Sequence, residues 1–211
     1  MMVEDGATPY EVDAAVVGFG YPMGPFAMSD LAGLDIGWAT RKRKAPTRDP
    51  KERYASDWID RICEQGRYGQ KTGRGIYNYP EGARKGEPDP ETLAIIDDVR
   101  REKGIKARKF TADEIIERYM AAMINEGAKV LEEGIALRPV DIDMVQLFGY
   151  GHPRWRGGPM KYADMQGLDN ILASIRKFET EDDWFWKPAQ LLVDLVDRGD
   201  SFDSLNKKEI S

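Results

Sequence analysis

The 211-residue chain has one cysteine, Cys63, and one histidine, His152. A lone cysteine excludes an internal disulfide and suits a reducing compartment. Two residues of these types cannot build a structural zinc site. No apolar run approaches the about 18 residues that a membrane span needs. No basic segment followed by an apolar stretch marks a signal peptide, and Lys208-Glu209-Ile210-Ser211 is not a peroxisomal signal. These readings lead to the expectation of a cytoplasmic protein. Positive charge is also short: 31 Lys and Arg face 37 Asp and Glu, a net charge of −6. That balance argues against a general nucleic-acid binder. The local exception, Arg41-Lys42-Arg43-Lys44, reads as a solvated helix C-terminus, where cations complement the helix dipole. Strand patterns are nearly missing, with one short candidate at Ile76-Tyr77-Asn78-Tyr79.

The chain has an internal repeat. Val3-Glu4-Asp5-Gly6 recurs as Leu131-Glu132-Glu133-Gly134, Asp13 as Asp141, and Phe19-Gly20-Tyr21 as Phe148-Gly149-Tyr150. Gly24-Pro25 recurs as Gly158-Pro159, and Gly33-Leu34-Asp35 as Gly167-Leu168-Asp169. The offset drifts from about 128 to about 134 residues, too long a period for a solenoid unit. A duplicated domain is the simplest reading.

Helix signals dominate both copies. Thr8-Pro9-Tyr10-Glu11 is a capping box with proline at the first helical position, placing Val12, Ala15 and Val16 on one face. Helices are expected over Phe26–Leu31, Leu34–Arg43 and Asp57–Gln65, the last burying Cys63 as a small hydrophobe. Asp89-Pro90 caps another, running to about Lys103. Thr111-Ala112-Asp113-Glu114 is a second capping box and starts the longest helix, which ends at Gly134. Ile116, Met120, Met123, Val130 and Leu131 form its expected apolar stripe, with both methionines as core. Further helices are expected over Pro139–Phe148 and around residues 160–165, 168–179 and 188–198.

Two glycine-rich stretches imitate nucleotide motifs. Gly18-Phe19-Gly20, with Gly24 beyond, has dinucleotide-like glycines, but that motif needs a strand before them and a helix directly after. Here a capping box makes the preceding segment helical, and Pro22 and Pro25 fall where the next helix should run. Gly66 to Gly73 has the wrong lysine spacing for a phosphate loop. It reads as a structural loop whose Lys71 or Arg74 could contact an anionic ligand. His152 has no orienting carboxylate in its own motif and reads as structural or solvent-exposed.

Four longer segments carry a resemblance. GFGYPMGPFAMSDLAGLD (Gly18–Asp35) and RYGQKTGRGIYNY (Arg67–Tyr79) resemble the C-terminal domain of L-3-hydroxyacyl-CoA dehydrogenases. NEGAKVLEEG (Asn125–Gly134) and GYGHPRWRGGPM (Gly149–Met160) are similar to the second copy of that domain in multifunctional fatty-acid β-oxidation enzymes. The resemblance implies an all-α chain of two related helical domains, of the type also found at the C-terminus of 6-phosphogluconate dehydrogenase. Residues 1–108 would be the first copy, lacking its leading long helix, and 109–211 the second.

The implied activity is NAD-dependent oxidation of L-3-hydroxyacyl-CoA by the parent enzyme. The family's catalytic histidine and glutamate belong to a preceding NAD-binding domain, and its asparagine to the leading helix. The resemblance therefore assigns no catalytic residue and no cofactor to this chain, and implies that it is inactive alone. It implies an acyl-chain wall, for which the turn at Tyr21, Pro22, Met23, Pro25 and Phe26, apolar and bent by Pro and Gly, is the candidate; the same turn reads equally as a plain helix connector. A missing leading helix would leave Val12 and Val16 loosened or covered by another chain, as in a homodimer. The competing reading is a free-standing helical interaction or acyl-CoA-binding module.

Overall fold

The computed structural model describes residues 1–83 and 85–206. The C-terminal Lys208–Ser211 stretch considered above lies outside the described residues. Contacts divide the chain into two compact units. The first holds Met1–Gly18 and Pro22–Ile115; the second holds Phe19–Tyr21 and the chain from Ile116 onward.

The first unit contains α1 (Met2–Asp5), α2 (Pro9–Phe19, its last residue assigned to the second unit), α3 (Pro25–Ala32), α4 (Leu34–Lys44) and α5 (Asp57–Glu64). A two-residue ribbon follows, β1 (Tyr77–Asn78) antiparallel to β2 (Glu87–Pro88), and then α6 (Pro90–Glu102). The expected lone strand is thus one half of a ribbon. The capping box forms reciprocally: Thr8 N–H donates to Glu11 Oε2 at 2.7 Å, and Glu11 N–H donates to Thr8 Oγ1 at 3.1 Å. Asp89 caps α6 by accepting from Glu91 N–H at 3.0 Å. Trp58, Ile62 and Cys63 are buried, and they fall on one face of α5 because their spacing matches the helical period. Ile76, Ile96 and Val99 join them in the core.

Charged side chains anchor the N-terminal turn. Arg100 Nε donates to Glu4 O at 3.1 Å and its Nη2 to Ala7 O at 3.0 Å. Glu4 is fully buried and pairs with Lys103 at 2.7 Å and Arg53 at 3.1 Å. Gly6 has φ 137°, and a Cβ there would stand 2.0 Å from Arg108 O. Only glycine lets the segment after α6 pass so close, where Arg108 N–H donates to Asp5 O at 2.9 Å. Val12 and Val16 are 2% and 1% exposed. The face expected to stand open around them is closed by the chain's own residues.

The second unit contains most of α7 (Ala112–Glu132), then α8 (Pro139–Gly149), α9 (Pro159–Gln166), α10 (Leu168–Glu179), α11 (Gln190–Arg198) and α12 (Phe202–Leu205). The last of these was not expected from sequence. Thr111 Oγ1 accepts from Glu114 N–H at 3.1 Å at the head of α7, and left-handed Gly134 follows its end. The buried stripe of α7 differs from the expected one. It runs through Ile115, Arg118, Ala121, Ile124, Asn125 and Ala128, with Met120 alongside. Small residues allow close approach: a Cβ on Gly127 would meet Met160 Sδ at 2.7 Å. Weighting large apolar side chains rotated the sequence-based stripe away from this face. On α10, Leu168, Ile171, Leu172, Ile175 and Phe178 form the buried stripe that the helical period requires.

Candidate functional site

The repeat is built around paired aspartates at helix entries. In the first unit, Asp13 on α2 accepts from Phe26 N–H at 2.9 Å and Ala27 N–H at 2.8 Å. These are orphan donors in the first turn of α3, which proline opens. In the second unit, Asp143 on α8 accepts from Met160 N–H at 2.7 Å and Lys161 N–H at 3.0 Å, at the head of α9. The structural equivalent of Asp13 is therefore Asp143, and the sequence pairing with Asp141 is corrected. Asp141 instead pairs with Arg138 at 2.7 Å. Capping geometry decides the match, because the carboxylate must reach the helix head. It also explains the glycines: a Cβ on Gly24 or Gly158 would lie 2.2 or 2.4 Å from the capping aspartate.

A second aspartate comes later in each copy, six residues after the same glycine. Asp30 accepts from Ile76 N–H at 2.9 Å and Tyr77 N–H at 2.8 Å; Asp164 accepts from Phe202 N–H at 2.8 Å and Asp203 N–H at 2.9 Å. Their constant offset from the Gly-Pro turns is the sequence signal that marks them as a pair. Tyr77 and Tyr79 add hydroxyl bonds to Asp13 at 2.8 Å and Asp30 at 3.1 Å. Burial pushes the carboxyls of Asp13, Asp30 and Asp164 above the usual range, against the pull of the backbone donors. Burial takes Asp143 up to about 6. These oxygens hold backbone in place, which makes the aspartates scaffold rather than proton-transfer groups.

Phe19 and Tyr21 occupy an aromatic cluster in the second unit. The Phe19 ring meets Tyr162 edge-on at 5.5 Å and carries the Arg156 guanidinium 3.8 Å from its centre. Tyr21 meets Tyr119 edge-on at 5.9 Å and points its hydroxyl at Met123 Sδ, 3.6 Å away. His152 lies against both, 6.3 Å from Phe19 and 5.3 Å from Tyr21 between ring centres. It is 1% exposed, and its Nε2 has no hydrogen-bond partner among the described residues. Burial holds its pKa below the ordinary histidine value. Of the two placements open to His152 in the sequence, the structure takes the buried one.

The five wall residues do not share one environment. Tyr21 is buried in this cluster, whereas Phe26 packs on Trp58 in the first unit, with ring centres 5.6 Å apart. Pro22 is exposed, and Met23 and Pro25 are half-buried. Lys71 pairs with Asp35 at 2.5 Å. Arg74 pairs with Asp89 at 2.7 Å and Glu91 at 2.6 Å, so both candidate anion contacts already carry acidic partners. Buried Arg67 also joins Asp89 at 2.8 Å and donates to Thr92 Oγ1 at 2.7 Å.

The Gly18–Gly24 stretch does not fit a dinucleotide. Helix α2 precedes it where a strand is needed, and the Asp13 carboxylate already takes the α3 donors that a pyrophosphate would use. Among the described residues, no cluster of three or more His, Cys, Asp or Glu is arranged to hold a metal ion. No described helix is long and apolar enough to cross a membrane.

Comparison with known proteins accounts for the architecture. Residues 1–79 and 115–207 match the family model "3-hydroxyacyl-CoA dehydrogenase, C-terminal domain". The peroxisomal bifunctional enzymes of Danio rerio and Homo sapiens are 45% and 40% identical, each over 94% of this chain and 29% of its own length. A glyoxysomal fatty acid beta-oxidation multifunctional protein of Brassica napus is 36% identical over 94% of this chain and 28% of its own. The chain thus spans under a third of these relatives. The dehydrogenase part of multifunctional enzyme 1 from C. elegans superposes with a TM-score of 0.68 at 27% identity, over 90% of this chain and 43% of that one. The relatives' names overturn the cytoplasmic expectation, since they are peroxisomal or glyoxysomal enzymes. Composition and one thiol report on redox conditions, whereas organelle addresses are short receptor-read motifs that fold chemistry does not encode. The match over most of the chain places it in the 3-hydroxyacyl-CoA dehydrogenase C-terminal domain family.

Proposed function

We propose that this chain is the tandem helical part of a multifunctional β-oxidation enzyme that works in the peroxisome. The whole enzyme would oxidise L-3-hydroxyacyl-CoA to 3-ketoacyl-CoA with NAD. The chain's part is structural: it supplies an acyl-chain wall from the Tyr21–Phe26 turn and the helical packing that completes the dehydrogenase. The observation that carries this reading is the doubled family match, joined to duplicated aspartate-capped turns.

In the whole enzyme NAD would supply the hydride acceptor, and the Gly18–Gly24 stretch of this chain does not fit it. Pro22 and Pro25 bend the wall, and Asp13 fixes the α3 end of the turn through Phe26 N–H. Met23, half-buried and unbranched, is the residue best able to adapt to acyl chains of different length.

The test is kinetic. In the complete enzyme, Met23→Trp should lower kcat/KM for long-chain 3-hydroxyacyl-CoA at least tenfold while leaving the short-chain value within twofold. Equal losses on both substrates would remove the wall assignment. The purified 211-residue chain should yield no NADH from 3-hydroxyacyl-CoA and NAD, and measurable turnover would contradict its structural role.

A further inference from the structure

The basic run that ends α4 takes no part in the core. No acidic residue occurs between Asp35 and Asp49, whereas Arg41, Lys42, Arg43, Lys44 and Arg48 all fall there. Arg41 is paired with Asp60 at 2.6 Å. Among the described residues, Lys42, Arg43, Lys44 and Arg48 have no carboxylate within ion-pair distance. Lys42 stands over the Trp38 ring and Arg48 over the Tyr54 ring, 3.1 and 3.7 Å from the ring centres. Covering unpaired cations with protein carries a heavy desolvation cost, so this run favours water in a longer enzyme as well.

Thr47 lies inside the run. It is exposed in the 3-10 turn Ala45–Thr47, and its hydroxyl donates to Lys44 O at 3.1 Å. Residues 48–56 form no helix or strand, and no residue between Leu34 and Trp58 is buried. The segment can therefore be drawn into an extended groove without opening the core. Thr111 looks similar in sequence, since Arg108 and Lys109 precede it. The structure separates the two. Arg108 pairs with Glu114 at 2.6 Å, lies 3.7 Å from the Phe110 ring centre, and donates its backbone N–H to Asp5 O. Thr111 Oγ1 caps α7. The cation and the hydroxyl are both engaged at Thr111, and both are presented to solvent at Thr47.

We propose that Thr47 is a phosphorylation site for a protein Ser/Thr kinase whose acidic substrate groove selects cations on both sides of the target hydroxyl. Thr47 Oγ1 attacks the γ-phosphorus of MgATP, the bond to the bridging oxygen breaks, ADP leaves, and the hydroxyl proton passes to the kinase's catalytic aspartate. The product adds a charge of about −2 to the cation run, with Lys44 and Arg48 placed in sequence to pair with it. This goes beyond the acyl-site reading and does not depend on it.

The test incubates the 211-residue chain and the complete enzyme separately with MgATP and the catalytic fragment of protein kinase C, which selects cations on both sides of its target. Intact mass and peptide mapping should place one phosphate on Thr47 in both proteins. Thr47→Val should lower incorporation at least tenfold. So should Lys44→Ala with Arg48→Ala, at an unchanged urea midpoint, since neither side chain is buried. Phosphate mapping to Thr111 in place of Thr47, or incorporation that survives removal of the two cations, would overturn the proposal. Labelling of the 211-residue chain but not of the complete enzyme would also overturn it, by showing that the rest of the enzyme covers Thr47.

Discussion

Replacing Asp30 with alanine should be among the most damaging single changes in the first unit. Asp30 has no exposed surface and joins three groups: Ile76 N–H, Tyr77 N–H and the Tyr79 hydroxyl. A buried donor left without a partner costs about 1–3 kcal/mol. Ile76 is itself fully buried, so its N–H cannot turn to water. Tyr77 is half-buried and loses part of that amount, while the Tyr79 hydroxyl can re-solvate at little cost. Removing a buried carboxylate returns some stability, because burial disfavours its charged form. The net expectation is a loss of about 2–4 kcal/mol, a large share of a typical domain's total. Asp30→Asn keeps one acceptor oxygen and should fall between wild type and alanine. Urea unfolding followed by tryptophan fluorescence reports both, through a lower midpoint at constant slope. The pH profile gives an independent check. A folded pKa above the unfolded one makes the carboxyl's contribution largest in acid and loses it as pH rises through the folded value. Asp30→Ala should therefore cost more at pH 4.5 than at pH 7.5. A loss below about 1 kcal/mol, with alanine and asparagine equal, would refute the claim that these bonds hold β1 to α3.

Asp143 should behave in the same sense with a resolved window: its extra stability is complete below the unfolded value near 3.8 and is lost as pH rises through about 6. Comparing Asp143→Asn with wild type across pH 4–7.5 should reveal a difference that changes by about 2–3 kcal/mol; a flat difference would discard the buried-cap assignment. His152 has the opposite sign, because its neutral form is favoured: stability is kept above the unfolded pKa near 6.5 and falls as pH drops toward the depressed folded value. As the only histidine, its imidazole can be followed by proton NMR, and a midpoint at or above 6.5 would contradict its burial against Phe19 and Tyr21. Gly24→Ala should lose about 2–4 kcal/mol in thermal or urea unfolding, because the new Cβ would stand 2.2 Å from the Asp13 carboxyl carbon and break the α3 cap. Cys63, fully buried and with its thiol pushed up to about 11, should resist Ellman's reagent until the chain unfolds; rapid labelling of the native protein would show the α5 core to be open.

Local signals carried far in this chain because they are chemically self-contained. The Thr8–Glu11 box, the Asp89 cap and the glycine after α7 each need only a few neighbouring residues. The repeat was legible for a related reason, since in both copies a side chain at the glycine of the Gly-Pro turn would meet the capping aspartate. Long-range partners were not legible. Asp30 meets Ile76 across the sequence, and apart from sharing its offset from the Gly-Pro turn with Asp164 it looks like a solvated helix aspartate. The α7 stripe was misplaced because Ala121, Gly127 and Ala128 look like weak core candidates until a neighbouring side chain such as Met160 fills the space they leave.

The sequence alone determined the helical class, the duplication and the family, since these rest on capping residues, periodicity and motif order along the chain. Tertiary structure alone decided which copy of the Phe-Gly-Tyr motif is buried. Both copies have the same residue types, and only packing gives Phe19 and Tyr21 an aromatic cluster while Phe148 and Tyr150 face solvent. Burial is a property of the groups that stand nearby in space, and a motif does not encode its neighbours.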